Sequence, residues 1–94
     1  MKIAWTRLAL EGLEHARMFI AAERPSAAVH VIERIKKAVH SVSRYPENGR
    51  SGRVAGTREL IVSGTPFIVP YRIRHNRVEI IAVIHGARRW PDAL

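Results

Sequence analysis

The stretch that decides the fold runs from residue 58 to residue 86 and reads RELIVSGTPFIVPYRIRHNRVEIIAVIHG. It predicts three strands, at residues 58–63, 67–75 and 78–85. A Gly-Thr-Pro turn follows the first strand and a tight His-Asn-Arg turn follows the second, and turns this short join antiparallel neighbours. The run 80–84 is apolar on both faces, which is typical of a strand inside a sheet. We therefore expect an antiparallel meander.

The second of these strands has two different faces. Its odd-numbered side chains are apolar or aromatic: Phe67, Val69, Tyr71 and Ile73. Its even-numbered side chains are Ile68, Pro70, Arg72 and Arg74. One face of the sheet therefore carries at least two cations. Because proline cannot donate a ladder hydrogen bond, Pro70 predicts an edge position or a bulge.

One strand and two helices precede the meander. Ile3 and Trp5 alternate with polar or small residues, which predicts a short strand with one solvent-exposed face. Apolar residues at helical spacing predict helices over residues 9–22 and 26–44, and the break at Pro25 joins them as an antiparallel hairpin. The order β-α-α-β-β-β predicts an α+β fold, an antiparallel sheet with a helical hairpin packed on one face.

The composition limits what this fold can do. The chain has 94 residues, a formal net charge of +8 and a pI near 11.3, and 13 of its 16 basic residues are arginine. We expect one domain over residues 1–94, with an acidic partner, either nucleic acid or protein. The absence of cysteine excludes disulfides and Cys-ligated zinc. The apolar runs are too short to cross a bilayer, so we expect a soluble, cytoplasmic protein with no membrane partner.

Neither a metal site nor a cofactor is predicted. His15, His30 and His40 are too widely spaced for a local ligand pair and do not share one helical face. The loop over residues 47–57 contains three glycines, but it lacks the Lys-Ser/Thr ending and the following helix of a phosphate-binding loop.

Three segments of the second half resemble the RelE/ParE superfamily of toxins. They read GRVAGTREL at residues 52–60, PFIVPYRI at 66–73 and VEIIAVIHGARRWP at 78–91. The length and the element order fit the same superfamily. The resemblance implies the toxic half of a bacterial type II toxin–antitoxin module, which inhibits growth until a cognate antitoxin protein masks it. It also implies that operator DNA is contacted only through the antitoxin.

The superfamily has two branches with different targets. RelE-like members cleave mRNA on the ribosome, and ParE-like members poison DNA gyrase. As a ribosome-dependent endoribonuclease, this chain would use His85 as acid or base and Arg88, which matches a family arginine, as catalytic residues, while Arg72 and Arg74 could hold phosphates. As a gyrase poison it would need no chemistry and would bind its target through Arg72, Arg74, Arg88, Arg89 and Trp90. A degenerate toxin that only binds its antitoxin is a third, weaker alternative.

Departures from the RelE-like pattern favour the gyrase branch. Ile68 stands where RelE-like sequences carry an arginine, three residues before the tyrosine of the middle strand. The segment 59–61 has Glu-Leu-Ile in place of basic residues, and no tyrosine follows Arg88. We also expect Glu59 to pair with a nearby arginine and His85 to be structural. Finally, the helical stripe and the sheet edge should leave an apolar groove for the antitoxin.

Overall fold

The computed structural model of the chain describes residues 1–87 and residue 90. Its elements are β1 (Lys2–Trp5), α1 (Arg7–Ala21), α2 (Pro25–Arg44), β2 (Arg50–Ser51), β3 (Arg58–Ile61), β4 (Phe67–Arg74), β5 (Arg77–Ile80) and β6 (Ile84–His85). The predicted α+β order is confirmed. The differences are a two-residue strand, β2, inside the predicted loop and the division of the third predicted strand into β5 and β6.

The strands form one sheet in the order β1-β5-β4-β3-β2, and β6 pairs with β4 beyond the end of β5. Strands β3, β4 and β5 make the predicted antiparallel meander. Strand β1 joins its edge in parallel, with Ile3 opposite Val78, so the sheet is mixed where the sequence predicted an antiparallel one. The direction of β1 was open because no tight turn connects it to β5.

One extra residue interrupts the third predicted strand. Tyr71 pairs with Ile80, and Ile68 pairs with Ile84. Three steps along β4 therefore match four steps along its partner, which is a β-bulge. Because side chains alternate between the faces, every side chain after the bulge points to the face opposite the one that an unbroken strand would give it.

Pro70 explains the position of this bulge. The N–H of Ile81 donates to the Pro70 carbonyl at 2.9 Å, but Pro70 has no N–H with which to return the bond. The Ile81 carbonyl accepts instead from the Thr6 hydroxyl at 3.0 Å. The prediction that Pro70 marks an edge or a bulge is confirmed, with the bulge in the partner strand.

Helix α1 begins earlier than predicted because Thr6 caps it. The Thr6 hydroxyl oxygen accepts the N–H of Ala9 at 3.1 Å, which satisfies one of the free donors at the helix start. Gly12 then allows the helix to lie directly on the bulge. A Cβ atom at Gly12 would stand 2.6 Å from the carbonyl oxygen of Val83, too close for any side chain.

The hydrophobic core lies between the helical hairpin and the sheet. Its buried members are Ala9, Ala16, Ile35, Val39, Val42, Leu60, Val62, Phe67, Val69, Tyr71, Val78, Ile80 and Val83. Ile35, Val39 and Val42 belong to the apolar stripe that predicted α2. We call the side of the sheet that packs on the helices the helix face, and the opposite side the outer face.

Candidate target-binding face

The strand register identifies the outer face, because side chains directly opposite one another in neighbouring strands share a face. Charged side chains on it are Lys2 of β1, Arg50 of β2, Glu59 of β3, Arg72 and Arg74 of β4, and Arg77 and Glu79 of β5. These seven side chains are five cations and two carboxylates, so the face has a net positive charge.

Three of the cations lie in line across adjacent strands, and we call them the cationic row. Arg74 is opposite Arg77, and Arg77 is opposite Lys2. A two-residue turn holds the two arginines together, with φ of 53° at His75 and 57° at Asn76. Opposed residues have Cβ atoms about 4.5–5.5 Å apart, at which distance like charges destabilise a sheet. Such a row suits an anionic partner.

Glu79 neutralises part of this face. One carboxylate oxygen accepts from Arg72 Nε at 2.7 Å and lies 3.7 Å from Arg74 Nε. The hydrogen bond from Arg72 is the main reason that the pKa of Glu79 lies below its ordinary value. Arg72 and Arg74 therefore share a counter-ion, and their guanidinium groups are held over the middle of the sheet.

Glu59 is the one buried charged residue in the described part of the chain, with 2 % of its surface exposed. Its carboxylate accepts from Arg50 Nη2 at 2.9 Å, from the Arg53 backbone N–H at 2.8 Å and from Arg53 Nε at 3.2 Å. Burial by itself raises the pKa of Glu59, but these hydrogen bonds outweigh it and the pKa lies below its ordinary value. The predicted pairing of Glu59 with arginine is confirmed.

Trp90 lies against the same side of the molecule. Its ring packs on Ile81, Ala82 and Ile84, which form a small second cluster of buried side chains. The guanidinium carbon of Arg53 lies 3.4 Å from the ring centroid of Trp90. This is the geometry of a cation–π contact. The indole N–H of Trp90 is buried and finds no acceptor among the described residues.

His85 lies on the helix face. It is opposite Phe67, and its ring makes edge contacts with Phe67 at 5.6 Å and with Phe19 of α1 at 5.3 Å between centroids. Its Nδ1 accepts the backbone N–H of Ala87 at 3.2 Å, which leaves the proton of the neutral ring on Nε2. Without the bulge, His85 would share a face with Glu79.

Tyr71 anchors the loop that follows α2. The residue is fully buried, and its hydroxyl accepts the N–H of Gly49 at 2.8 Å and donates to the Pro46 carbonyl at 2.7 Å. Burial raises the pKa of Tyr71 above its ordinary value, and the bond from Gly49 only partly opposes this. A Cβ atom at Gly49 would lie 2.6 Å from the Tyr71 ring. Tyr71 therefore has a structural role.

The structure brings some of the predicted site residues together and separates another. Arg72 and Arg74 share the outer face, Trp90 packs beside it, and His85 lies on the opposite side of the sheet. Arg88 and Arg89 lie outside the described residues. Sequence reasoning missed Arg53 on Trp90, for which there is no local signal.

Two members of the cationic row, Lys2 and Arg77, were also missed as site residues. Both were recoverable from the sequence. Lys2 lies on the exposed side of the first strand, and Arg77 is placed opposite Arg74 once the turn between them is two residues long.

Two features are absent from the described part of the chain. Over residues 1–87 and 90, no group of three or more histidine or acidic side chains is placed to hold a metal ion. In the same part of the chain, neither helix combines the length and the apolar character that a membrane span requires.

Comparison with known proteins identifies the family. A model of the family described as "ParE toxin of type II toxin-antitoxin system, parDE" matches residues 3–90. The chain belongs to this family. The recognition of a RelE/ParE superfamily toxin is thus confirmed, and the family is the ParE-like one that the sequence favoured.

Individual relatives agree with this assignment. The chain is 42 % identical over 93 residues to "Putative toxin Y4kP" of Sinorhizobium fredii, covering 99 % of this chain and 96 % of the relative. It is 36 % identical over 87 residues to "Toxin RelE2" of Caulobacter vibrioides, covering 93 % and 97 %. A chain of the solved "Chromosomal ParDE TA system from P. aeruginosa" has the same fold, with a TM-score of 0.85, 24 % identity and coverage of 90 % and 95 %.

Proposed function

We propose that this ParE-family toxin arrests growth by binding DNA gyrase, without chemistry of its own, through Arg72, Arg74, Arg88, Arg89 and Trp90. The observation that carries the proposal is the separation of the sheet's two faces. The outer face presents guanidinium groups and the Trp90 cluster, while the imidazole of His85 lies on the helix face.

The titratable groups near the outer face support binding over catalysis. Glu59 and Glu79 have pKa values below their ordinary range and are held by arginine, so at neutral pH they are ionised and already paired. A general base needs a pKa near the operating pH and access to the proton that it removes. Tyr71, whose pKa is raised, is fully buried.

The alternative function is a ribosome-dependent mRNA endoribonuclease. The cationic row favours it, because three aligned cations suit an RNA backbone as well as an acidic protein surface. The 36 % identity to a protein named Toxin RelE2 is also consistent with it. In this case His85 and Arg88 would be catalytic, and His85 would have to act from the helix face.

The proposal includes neutralisation by a cognate antitoxin protein, which alone would contact operator DNA. Apolar side chains are exposed on α1, where Leu10 is 53 % and Met18 is 56 % exposed. A groove between α2 and β3 is lined by Ala38, Leu60, Ile61 and Val62, with Arg34 and Lys37 at its side. An antitoxin segment with apolar and acidic residues would cover both the groove and its charges.

Brief expression of the toxin in bacteria, followed by mapping of transcript ends and of plasmid supercoiling, tests the target. The gyrase proposal expects blocked supercoiling with intact transcripts, and it requires neither a cofactor nor a metal. Cut transcripts with intact supercoiling would establish the nuclease instead. Both targets are cytoplasmic, so we place the toxin in the cytoplasm.

Variants on the two sides of the molecule test whether the outer face binds the target. Arg72→Gln with Arg74→Gln should weaken inhibition of purified gyrase. Arg24→Gln should not weaken it. Arg24 lies between α1 and α2, in the helical hairpin that covers the helix face of the sheet. Equal inhibition by both proteins would contradict the assignment.

A further inference from the structure

We infer that Arg53 is a positioning residue for Trp90, and that Glu59 holds Arg53 in the orientation that this requires. The guanidinium of Arg53 lies between two partners. On one side its Nε donates to Glu59, and on the other its guanidinium carbon lies over the Trp90 ring, 3.4 Å from the centroid.

The Glu59 end of this chain of contacts is rigid. The carboxylate is buried on β3 in the interior of the sheet, and each of its oxygens accepts from a different arginine. The Arg53 backbone N–H also donates to it, at 2.8 Å. The backbone hydrogen bond fixes the position of the Arg53 main chain, and the Nε hydrogen bond fixes the orientation of its guanidinium group. Charge-assisted bonds of this kind are stronger than neutral ones.

The Trp90 end depends on Arg53 because, among the described residues, no hydrogen bond to the ring is found. The indole N–H has no acceptor in this part of the chain, and the ring also packs on the aliphatic side chains of Ile81, Ala82 and Ile84. Apolar packing is non-directional, so it buries one side of the ring without selecting its rotation. The stacked guanidinium supplies the directional contact on the other side.

This inference rests on growth inhibition by the toxin and on Trp90 taking part in it, but not on gyrase being the target. It deepens the proposed binding role of Trp90 by naming what orients that side chain. Arg53 acts through Trp90, and it is not itself assigned to the target surface.

The first test measures Trp90 directly in the purified protein. In a Trp5→Phe background, Trp90 is the only tryptophan, and its accessibility is read by acrylamide quenching of fluorescence. Arg53→Met removes the guanidinium but keeps the backbone bond to Glu59, and it should raise quenching. Arg50→Met is the matched control, because Arg50 binds the same carboxylate, while the cation over the ring among the described residues is Arg53.

The second test is a double-mutant cycle on growth inhibition. Arg53→Met should weaken inhibition by about two- to fivefold, the range of a partly exposed cation–π contact. In a Trp90→Ala background the same change should have no further effect. Arg53→Lys keeps a positive charge over the ring and should retain part of the activity. If Arg53→Met folds poorly, Arg53→Lys replaces it in the cycle.

The outcomes separate the inference from the proposed target. Unchanged quenching in Arg53→Met, or losses that add in the double variant, would overturn the positioning role. Full activity of Trp90→Ala would overturn it as well. Failure of the toxin to inhibit gyrase, with the quenching and growth results as expected, would remove only the gyrase proposal.

Discussion

The two faces of the sheet are stabilised in different ways. The helix face is a continuous apolar layer in which Val69, Val78 and Ile80 have no exposed surface. The outer face is held by charge pairs around Glu59 and Glu79, and the cationic row weakens it. The comparison teaches that one face carries the stability of the fold and the other retains charge that stability alone would not select.

The largest effect is expected where the helix face is most tightly packed. Gly12→Ala puts a methyl group 2.6 Å from the Val83 carbonyl oxygen, and backbone atoms on both sides must move. We expect a loss of about 3 kcal/mol in the free energy of unfolding, measured by urea denaturation. Gly56→Ala is the comparison variant: nothing lies within 4 Å of that site, so its only cost is the positive φ of 79°, about 1 kcal/mol. A loss no larger at Gly12 than at Gly56 would show that α1 does not press on the bulge.

The next largest effect is expected at the Tyr71 hydroxyl, the polar group within the apolar helix face. Tyr71→Phe keeps the ring but leaves the Gly49 N–H and the Pro46 carbonyl without their partner. We expect a loss of about 2 kcal/mol, seen as a lower thermal midpoint. Hydrogen exchange at Gly49 should accelerate more than exchange within β4. A uniform acceleration across the sheet would contradict a local anchor.

On the outer face, Glu59 should make the free energy of unfolding depend on pH. Its pKa is lowered on folding, so its contribution is complete above the ordinary value of 4.5 and is lost as the pH falls through the folded-state pKa. Glu59→Gln should cost about 1–2 kcal/mol at pH 7, because two arginines lose their counter-ion, and should flatten the loss below pH 4.5. Thermal melts from pH 3 to pH 7 measure this. If Glu59→Gln loses stability with falling pH as steeply as the wild type, other carboxylates cause the loss.

The smallest effect has the opposite sign. Arg77→Gln removes the central charge of the cationic row, so repulsion with Lys2 and Arg74 disappears and stability should rise by a few tenths of a kcal/mol. Added salt should abolish the gain, because it screens the repulsion in the wild type. Thermal midpoints at low and high salt give the result. A fall in stability at low salt would show that Arg77 has a stabilising partner.

Most of the fold could be predicted because its signals are local. The apolar stripe placed α2 to within one residue, and the alternation along β4 placed Arg72 and Arg74 on one face. The parallel pairing of β1 could not be predicted, since no short turn connects it to its neighbour. The run 80–84 was a good strand by composition, and Pro70 predicted an edge or a bulge without showing that the extra residue lies in the partner strand.

The candidate site was less predictable than the fold. Glu59 could be paired with arginine from charge alone, but Arg53 and Trp90 are distant in sequence and meet only in the folded chain. The face on which His85 lies depends on a single inserted residue, and no periodicity argument places such a residue securely.

The bulge also decides on which face of the sheet the imidazole of His85 lies. A one-codon deletion within 81–83 would restore unbroken alternation and turn the imidazole of His85 from its aromatic neighbours toward the guanidinium groups. Loss of the ring contacts that His85 makes with Phe19 and Phe67, followed by nuclear magnetic resonance, would record the change.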